Sequence, residues 1–168
     1  LFPYTTLFRS GANRVYKTID QIPEDLQHAF VAIEDSRFYK HNGVDIQGII
    51  RAFVVGITHG GNFSEGASTI TQQLIKNNVF PDFVNESTFE EKLERKIQEQ
   101  YLAIQVEKQL DKDSILESYL NTINLGQDCL GVQSAAQRYF NKDVNELNLS
   151  ESATIAAITQ NPGRYNPI

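Results

Sequence analysis

The feature of this sequence that most restricts its fold is the spacing of its apolar residues. They recur three or four positions apart, and no segment alternates apolar with polar residues over the length of a strand. The first spacing forms one stripe along an α-helix, whereas a half-buried strand requires alternation. The sequence therefore predicts a mainly α fold. The clearest helical patterns cover residues 23–34, 46–57, 69–76, 89–110, 114–123, 132–140 and 150–160.

Composition narrows the class of protein. The chain has 168 residues, enough for one domain with a sizeable core. Its formal charge of −6, from 15 basic and 21 acidic residues, argues against a nucleic-acid-binding protein that works by overall charge. The single cysteine, Cys129, excludes an internal disulfide and is predicted to be a small buried residue.

The sequence contains neither a signal peptide nor an apolar run of the ~20 residues that a membrane span requires. We therefore expect either a soluble protein or one whose anchor lies outside this segment. Residues 1–10, LFPYTTLFRS, resemble a translated sequencing adaptor. We interpret them as a non-native lead-in and treat residues 11–168 as one domain.

Two adjacent carboxylates, Glu34 and Asp35, end the first predicted helix. Glu34 would face the negative end of the helix dipole and would be partly desolvated by Phe30 and Ile33, and both effects disfavour its charged form. Such a group suits a general base. A carboxylate pair at a helix end is more often a solvated surface feature that Arg37 could neutralise, and these residues alone favour that interpretation.

The apolar stretch 46–57 is interrupted only by polar Gln47 and Arg51 and by small residues, and a glycine-rich loop at 59–62 follows it. A run of this length is usually a core helix. The alternative is a surface helix whose apolar side contacts lipid, with Arg51 near the headgroups. The sequence alone does not separate the two.

The stretch 66–77 predicts a helix with an unusual polar side. Thr69 and Gln72 have the spacing of a capping box. Thr69, Gln72, Gln73 and Lys76 form a stripe of hydroxyl, amide and ammonium groups, which suits a sugar-phosphate ligand near a helix N-terminus. The alternative is a solvated helix face, although such faces usually carry Glu and Lys.

The longest helical pattern, 89–110, has two apolar sides and is predicted to be buried on both in its later half. Arg95 and Glu99 lie one turn before the second of these sides. They are either a surface salt bridge worth ~0.3–0.5 kcal/mol or a cation and a carboxylate at the edge of a cleft. The first side comprises Phe89, Leu93, Ile97, Tyr101 and Ile104, and the second comprises Leu102, Val106 and Leu110.

Several of these stretches together resemble the peptidoglycan glycosyltransferase domain, glycosyltransferase family 51, of penicillin-binding proteins and monofunctional transglycosylases. The order and spacing of the motifs carry this resemblance, which covers roughly residues 15–168. The matching motifs are 34–38 with His41 and Gly43, GASTITQQLIKN at 66–77, 95–99, 115–121 with Gly126 and Gly131, and 149–167.

The resemblance implies a lysozyme-like helical lobe and a smaller, membrane-facing jaw at about residues 45–65, with the substrate cleft between them. It favours lipid contact for residues 46–57. It also implies location at the outer face of the cell membrane, through an N-terminal anchor that is not in this segment. A transpeptidase domain often follows in family members.

The implied reaction polymerises lipid II onto a growing glycan chain, inverts the anomeric carbon and releases undecaprenyl pyrophosphate. By the resemblance, Glu34 matches the base that takes the acceptor's proton. Glu99 matches a second essential carboxylate on the donor side, acting directly or through a divalent cation such as Mg²⁺ or Mn²⁺ whose protein ligands are unknown. No organic cofactor and no nucleic-acid partner are expected.

The leaving pyrophosphate requires cations and hydrogen-bond donors. By the resemblance, Arg37, Lys76 and Arg95 match the cations. Further substrate-binding residues would be Asp35, Ser68, Gln72 and Gln73. The span between Lys76 and Arg95 is longer than in many members, so one basic residue of the family has only Lys92 as a candidate counterpart.

Two rival functions are possible for the same sequence: a hydrolase and a scaffold without catalytic activity. A hydrolase on a lysozyme-like fold would also use a carboxylate at a helix end, but it gives no reason for a phosphate-binding surface of Lys, Gln and Arg. An inert cell-wall-binding or scaffold domain would need neither carboxylate, and the presence of both Glu34 and Glu99 argues against it.

Overall fold

The computed structural model describes residues 15–58, 66–80 and 85–168. These residues contain no β-strand, only an isolated bridge between Asn124 and Leu130, so the predicted mainly α fold is confirmed. The helices are α1 (Glu24–Glu34), α2 (Ile46–Thr58), α3 (Ile70–Val79), α4 (Phe89–Glu107), α5 (Lys112–Leu120), α6 (Val132–Phe140), α7 (Leu149–Ile158) and α8 (Pro162–Tyr165).

Local sequence sets where several helices begin. In α3 the hydroxyl of Thr69 accepts a hydrogen bond from the Gln72 N–H, and the Gln72 side chain accepts one from the Thr69 N–H (3.2 and 3.1 Å). This is the predicted capping box, which satisfies two backbone donors at once. Thr88 with Glu91 begins α4 in the same way, and Asn148 with Glu151 begins α7.

The core lies between α1, α3, α5, α6 and α7. Helix α1 packs on α7, and α3 packs on both α4 and α5. The ring of Phe30 on α1 meets that of Tyr119 on α5 edge-on, with centroids 6.1 Å apart. Cys129 is buried in this core, as predicted, and burial raises the pKa of its thiol. This packing fits the lysozyme-like helical lobe that the resemblance implies.

The loop after α1 makes a backbone contact with α4. Gly43 has a φ of +89°, and a Cβ built on it would lie 2.6 Å from the carbonyl carbon and oxygen of Ala103. No side chain fits in that space, so glycine is required here. The contact fixes the segment that follows Glu34 directly against α4.

Helix α2 is not a core helix. Among its residues only Gly48 and Gly56 are buried, whereas Ile50, Phe53 and Ile57 are 58–59% exposed. The interpretation as a core helix is therefore wrong, and α2 instead displays an apolar surface. Within the described residues no helix has both the length and the apolarity to cross a membrane. The jaw expected at 45–65 extends beyond the described residues, as do the glycine-rich loop and the lead-in at 1–10, and these stay predictions.

The prediction that α4 is buried on both sides in its later half is wrong. Tyr101 and Ile104 are 63% and 40% exposed, in line with the rest of the first side. The second side packs against the core through Val106, and Leu110 just beyond the helix does the same. Helix α3 packs on α4, while the apolar side chains of the first side remain exposed.

Candidate active site

The side chain of Glu34 is held by two helices that come from distant parts of the sequence. From α3, Gln73 Nε2 donates a hydrogen bond to Glu34 Oε2 (2.8 Å). From the end of α7, Gln160 Nε2 donates to Glu34 Oε1 (3.0 Å), and the hydroxyl of Thr159 donates to the same oxygen. An ionised carboxylate offers about four lone-pair sites. Three donors therefore fix its orientation and leave about one site for a substrate hydroxyl.

Glu99, the second predicted carboxylate, is completely buried on α4 and compensated by two cations of its own helix. Arg95 Nη1 contacts Oε1, and Lys96 Nζ lies 2.7 Å from Oε2. Arg95 also pairs with Glu86 through its Nε (2.7 Å). A buried carboxylate is tolerated when it is paired and hydrogen-bonded in this way. Glu99 is therefore the centre of an ion-pair cluster and not one half of an isolated surface salt bridge.

This cluster extends to Ser68. Lys96 Nζ donates to Ser68 Oγ (2.8 Å) while it pairs with Glu99. Ser68 in turn lines a cavity of about 150 Å³ together with Glu34. Lys96 and Ser68 thus connect Glu99 to the lining of the cavity that also contains Glu34. The other residues lining this cavity are Ala32, Ile33, Asp35, Ser36, Asp45, Gly48, Arg51, Gly66, Ala67 and Thr69.

The charges of both predicted carboxylates act on the pKa of Lys76. Burial lowers the pKa of its ammonium, which is half-buried on α3; the charges of Glu99 and Glu34 raise it, and those of Lys96 and Arg95 lower it. The same side chain therefore senses both acidic groups. Gln73 and Lys76 are one turn apart on α3, so the amide that holds Glu34 and this cation lie on neighbouring positions of one face.

Comparison with known proteins shows the family of the chain. The family model described as Transglycosylase matches residues 3–168. The chain belongs to the transglycosylase family. It is 49% identical over 161 residues to a protein named penicillin-binding protein 1A from Clostridium novyi, a match that covers 94% of this chain and 18% of that protein.

Two further relatives carry the same name. The protein from Clostridium perfringens strain 13 is 51% identical over 150 residues, covering 88% of this chain and 21% of its own length. The protein from Escherichia coli K12 is 49% identical over 155 residues, covering 92% and 17%. This transglycosylase chain therefore spans about a fifth of the length of the curated relatives that it matches.

Arg37, a predicted pyrophosphate ligand of this transglycosylase, is bound to another part of the chain. Its Nε and Nη2 lie 3.0 and 2.5 Å from Asp45 Oδ2. Asp45 Oδ1 also accepts a hydrogen bond from the Gly48 N–H (3.0 Å) at the start of α2. Burial raises the pKa of Asp45, but the hydrogen bonds and charge of Arg37 outweigh it and bring the pKa below its ordinary value. Arg37 thus holds the start of α2 in place through Asp45.

Arg37 also faces a different cavity from that of Glu34. This second cavity, of about 500 Å³, lies beside the start of α2. Its lining is formed by Arg37, Lys40, His41, Asn42, Val44, Asp45, Ile46, Gln47 and Ile104. Asp45, the partner of Arg37, lines both cavities, and the pyrophosphate-binding role predicted for Arg37 stays a prediction.

Asp35 and Gln72 are both buried at the N-terminus of α3. Asp35 accepts a hydrogen bond from the Ile70 N–H (3.1 Å) and lies 2.9 Å from His41 Nε2. Gln72 is occupied by its capping box. In the structure these two side chains position α3, and the substrate-binding role predicted for them stays a prediction.

The residues of the candidate site that the sequence did not predict come from three places. Arg51 lines the Glu34 cavity, although the sequence suggested a place near lipid headgroups. Thr159 and Gln160 belong to the fifth matching motif, but no pattern in it indicates a contact with Glu34. Lys96 lies within the third motif, where its spacing of three residues from Glu99 was the available signal.

The described residues include no group of three or more His, Cys, Asp and Glu side chains that could hold a metal ion. Both oxygens of Glu99 face cations of the chain itself. This donor set does not fit a protein-bound Mg²⁺ or Mn²⁺, which prefers oxygen ligands.

Proposed function

We propose that this transglycosylase chain is a peptidoglycan glycosyltransferase domain that polymerises lipid II. The observation that carries the proposal is the placement of Glu34. It is a fixed carboxylate in the lining of a cavity, and Ser68 in the same lining contacts Lys96 of the ion-pair cluster around Glu99. A base beside a phosphate-binding surface is what transfer from a pyrophosphate-linked donor requires.

In the proposed reaction the 4-hydroxyl of the acceptor sugar donates its hydrogen bond to the remaining lone-pair site of Glu34. Glu34 takes the proton as the hydroxyl oxygen forms a bond to the donor's anomeric carbon. The bond from that carbon to the pyrophosphate oxygen breaks, and its electron pair leaves with undecaprenyl pyrophosphate. Attack opposite to the leaving group inverts the configuration from α to β.

The leaving pyrophosphate gains negative charge, and fixed cations favour that charge most where water is limited. Lys96 contacts Ser68 of the cavity lining, the charge of Lys76 interacts with those of Glu34 and Glu99, and Arg95 is held in place by Glu86 and Glu99. Glu99 thus acts on the donor side by keeping Arg95 and Lys96 in position. The position of Arg51 in the cavity lining makes it a further cation for the same ligand.

We also propose that the apolar surface of α2 contacts the bilayer that holds both substrates. Its exposed side chains come from one helix beside the Glu34 cavity, where Gly48 and Arg51 of the same helix form part of the lining. A membrane anchor, the outer face of the membrane and an attached transpeptidase domain belong to the same proposal, since the relatives are named penicillin-binding proteins.

The test is polymerisation by the purified chain in detergent, with and without Mg²⁺ or Mn²⁺. Lipid II should be converted into glycan polymer, and inversion should appear as β-linkages in the product. Release of muropeptides from preformed glycan without polymer formation would favour the hydrolase. Binding without either reaction would favour the scaffold.

A further inference from the structure

A chain of two hydrogen bonds connects the core of the protein with the carboxylate of Glu34. The ring of Tyr119 on α5 is completely buried. Its hydroxyl donates to Gln73 Oε1 (3.1 Å), and Gln73 Nε2 donates to Glu34 Oε2 (2.8 Å). Gln73 is therefore held at both ends of its amide.

The direction of this chain follows from the chemistry of its members. An amide has a donor end and an acceptor end, and an ionised carboxylate accepts only. The NH₂ group of Gln73 must therefore face Glu34. Its oxygen needs a donor, and the hydroxyl of Tyr119 supplies one. Burial raises the pKa of this phenol well above its ordinary value, with the charges of Glu34 and Asp35 adding to the effect, so the donor keeps its proton.

We propose that Tyr119 is a positioning residue for the base: it fixes the Gln73 amide so that Gln73 donates to Glu34 and holds the carboxylate towards the acceptor hydroxyl. This rests on the proposed function, in which Glu34 takes the acceptor's proton. Tyr119 itself touches neither substrate nor the reacting atoms. Its effect on the reaction passes through Gln73, so an experiment can distinguish this effect from a loss of core packing.

Tyr119 suits this role because the structure holds it firmly. Its ring packs edge-on against Phe30, a buried residue of α1, the helix that ends at Glu34. Helix α5 also packs directly on α3, which carries Gln73. The hydroxyl is thus fixed relative to both α1 and α3, so it can hold the amide in one orientation at little further entropic cost.

The first experiment compares Tyr119→Phe with Tyr139→Phe in the polymerisation assay. Both changes remove one phenolic oxygen, but the Tyr139 hydroxyl donates to the Leu125 carbonyl oxygen (2.7 Å) and not to Gln73. We expect Tyr119→Phe to lower kcat by about 10- to 100-fold, the scale of a misplaced catalytic group. The KM for lipid II should stay within about twofold, because interactions that bind the substrate and the transition state equally are unchanged. Tyr139→Phe should lower the melting temperature without that loss of kcat.

A double-mutant cycle then tests whether the effect passes through Gln73. Once Gln73→Ala has removed the amide, adding Tyr119→Phe should cause no further loss of kcat. Losses that multiply would overturn the proposal, as would a Tyr119→Phe loss matched by Tyr139→Phe. If Tyr119→Phe does not fold, 4-fluorophenylalanine at position 119 fills the space of the oxygen without donating, and near-normal kcat would again overturn the proposal.

Glu34→Gln in the same assay separates the two proposals. Near-normal polymerisation by that variant would refute Glu34 as the base and remove the basis for Tyr119 as well. An inactive Glu34→Gln together with multiplying losses at Tyr119 and Gln73 would refute the positioning role alone and leave the proposed function standing.

Discussion

Lys96 joins Glu99 to Ser68: its ammonium lies 2.7 Å from the buried carboxylate and donates to the Ser68 hydroxyl at 2.8 Å. One end of this contact belongs to the ion-pair cluster of α4. The other end lines the cavity that contains Glu34. The ammonium of Lys96 therefore links a change at Glu99 to the cavity, which gives several predictions a definite sign.

Glu34→Gln keeps the shape of the side chain but cannot accept the acceptor's proton. We expect polymerisation to fall by at least ~10²–10⁴-fold, the usual contribution of a general base, while lipid II binding persists. Steady-state kinetics and a direct binding measurement check this. Glu24→Gln, an exposed change in the first turn of the same helix, is the control and should be close to the unmodified chain.

Glu99→Gln should act on the donor side. The change removes the charge that compensates Arg95 and Lys96, so both cations should lose their fixed positions. We expect a severe loss of polymerisation, part of which appears as weaker binding of the pyrophosphate-bearing donor. Titration with the donor substrate measures this. Donor binding equal to that of Glu34→Gln would contradict the separate roles.

Donor binding should weaken at alkaline pH as Lys76 loses its charge. Burial lowers the pKa of its ammonium below the ordinary 10.5, so the positive charge is present at low pH and is lost as the pH rises through that lowered pKa. The KM for the donor should therefore rise before the pH reaches 10.5. Lys76→Arg, which stays charged, should remove this rise. A pH series of initial rates checks it.

Lys76→Ala separates a ligand-binding role from a structural one. Turnover or donor binding should fall much more than the melting temperature, because a half-buried charged group contributes little to the core. Lys108→Ala, exposed at the end of α4, is the control. A large fall in melting temperature for Lys76→Ala alone would make this lysine structural.

Arg37→Ala should destabilise α2 more than it affects pyrophosphate binding. The loss removes charge-assisted hydrogen bonds to Asp45, for which we expect roughly 1–3 kcal/mol from urea unfolding. The folded-state pKa of Asp45 is lowered, so this stabilisation is present above the unfolded value near ~3.9 and is lost as the pH falls through the folded value. In Asp45→Asn the Arg37 change should cost little more. A selective loss of donor binding would support the pyrophosphate-binding role predicted from the sequence.

The exposed side of α2 should bind lipid. Phe53→Glu places a charge on an apolar surface that is 58% exposed, so it should weaken binding to phospholipid vesicles. Leu149→Glu introduces the same charge at a leucine of α7 that is 64% exposed, and it should leave vesicle binding unchanged. Co-sedimentation measures both. Equal losses would mean that lipid binding is not specific to the surface of α2.

Local features of the site could be predicted from the sequence, whereas long-range ones could not. The Thr69–Gln72 capping box was readable because both partners lie within one helical turn. The donors of Glu34 from α7 come from positions 125 and 126 residues away, and their contact depends on how α1 packs on α7. Spacing within a helix carries no information about such a contact.

Burial and pairing were also decided by tertiary structure. Both sides of α4 are apolar, and only the packing of α3 determines which one is covered. Arg37 was expected at the pyrophosphate because the motif resembles that of the family. The turn of chain that brings Asp45 to its guanidinium depends on the loop conformation between them. Opposite charges eight residues apart do not indicate that conformation.

The contact between Gly43 and Ala103 has a consequence for how such a domain can change over evolutionary time. Two main-chain segments touch there without a side chain between them. Substitutions in the surrounding core can change side-chain volumes and shift helices. They cannot enlarge a side chain inside this contact, because the contact contains none. Divergence is thereby directed elsewhere, to surfaces such as the outer side of α4, while the loop that follows Glu34 keeps its place against the helix that carries Glu99.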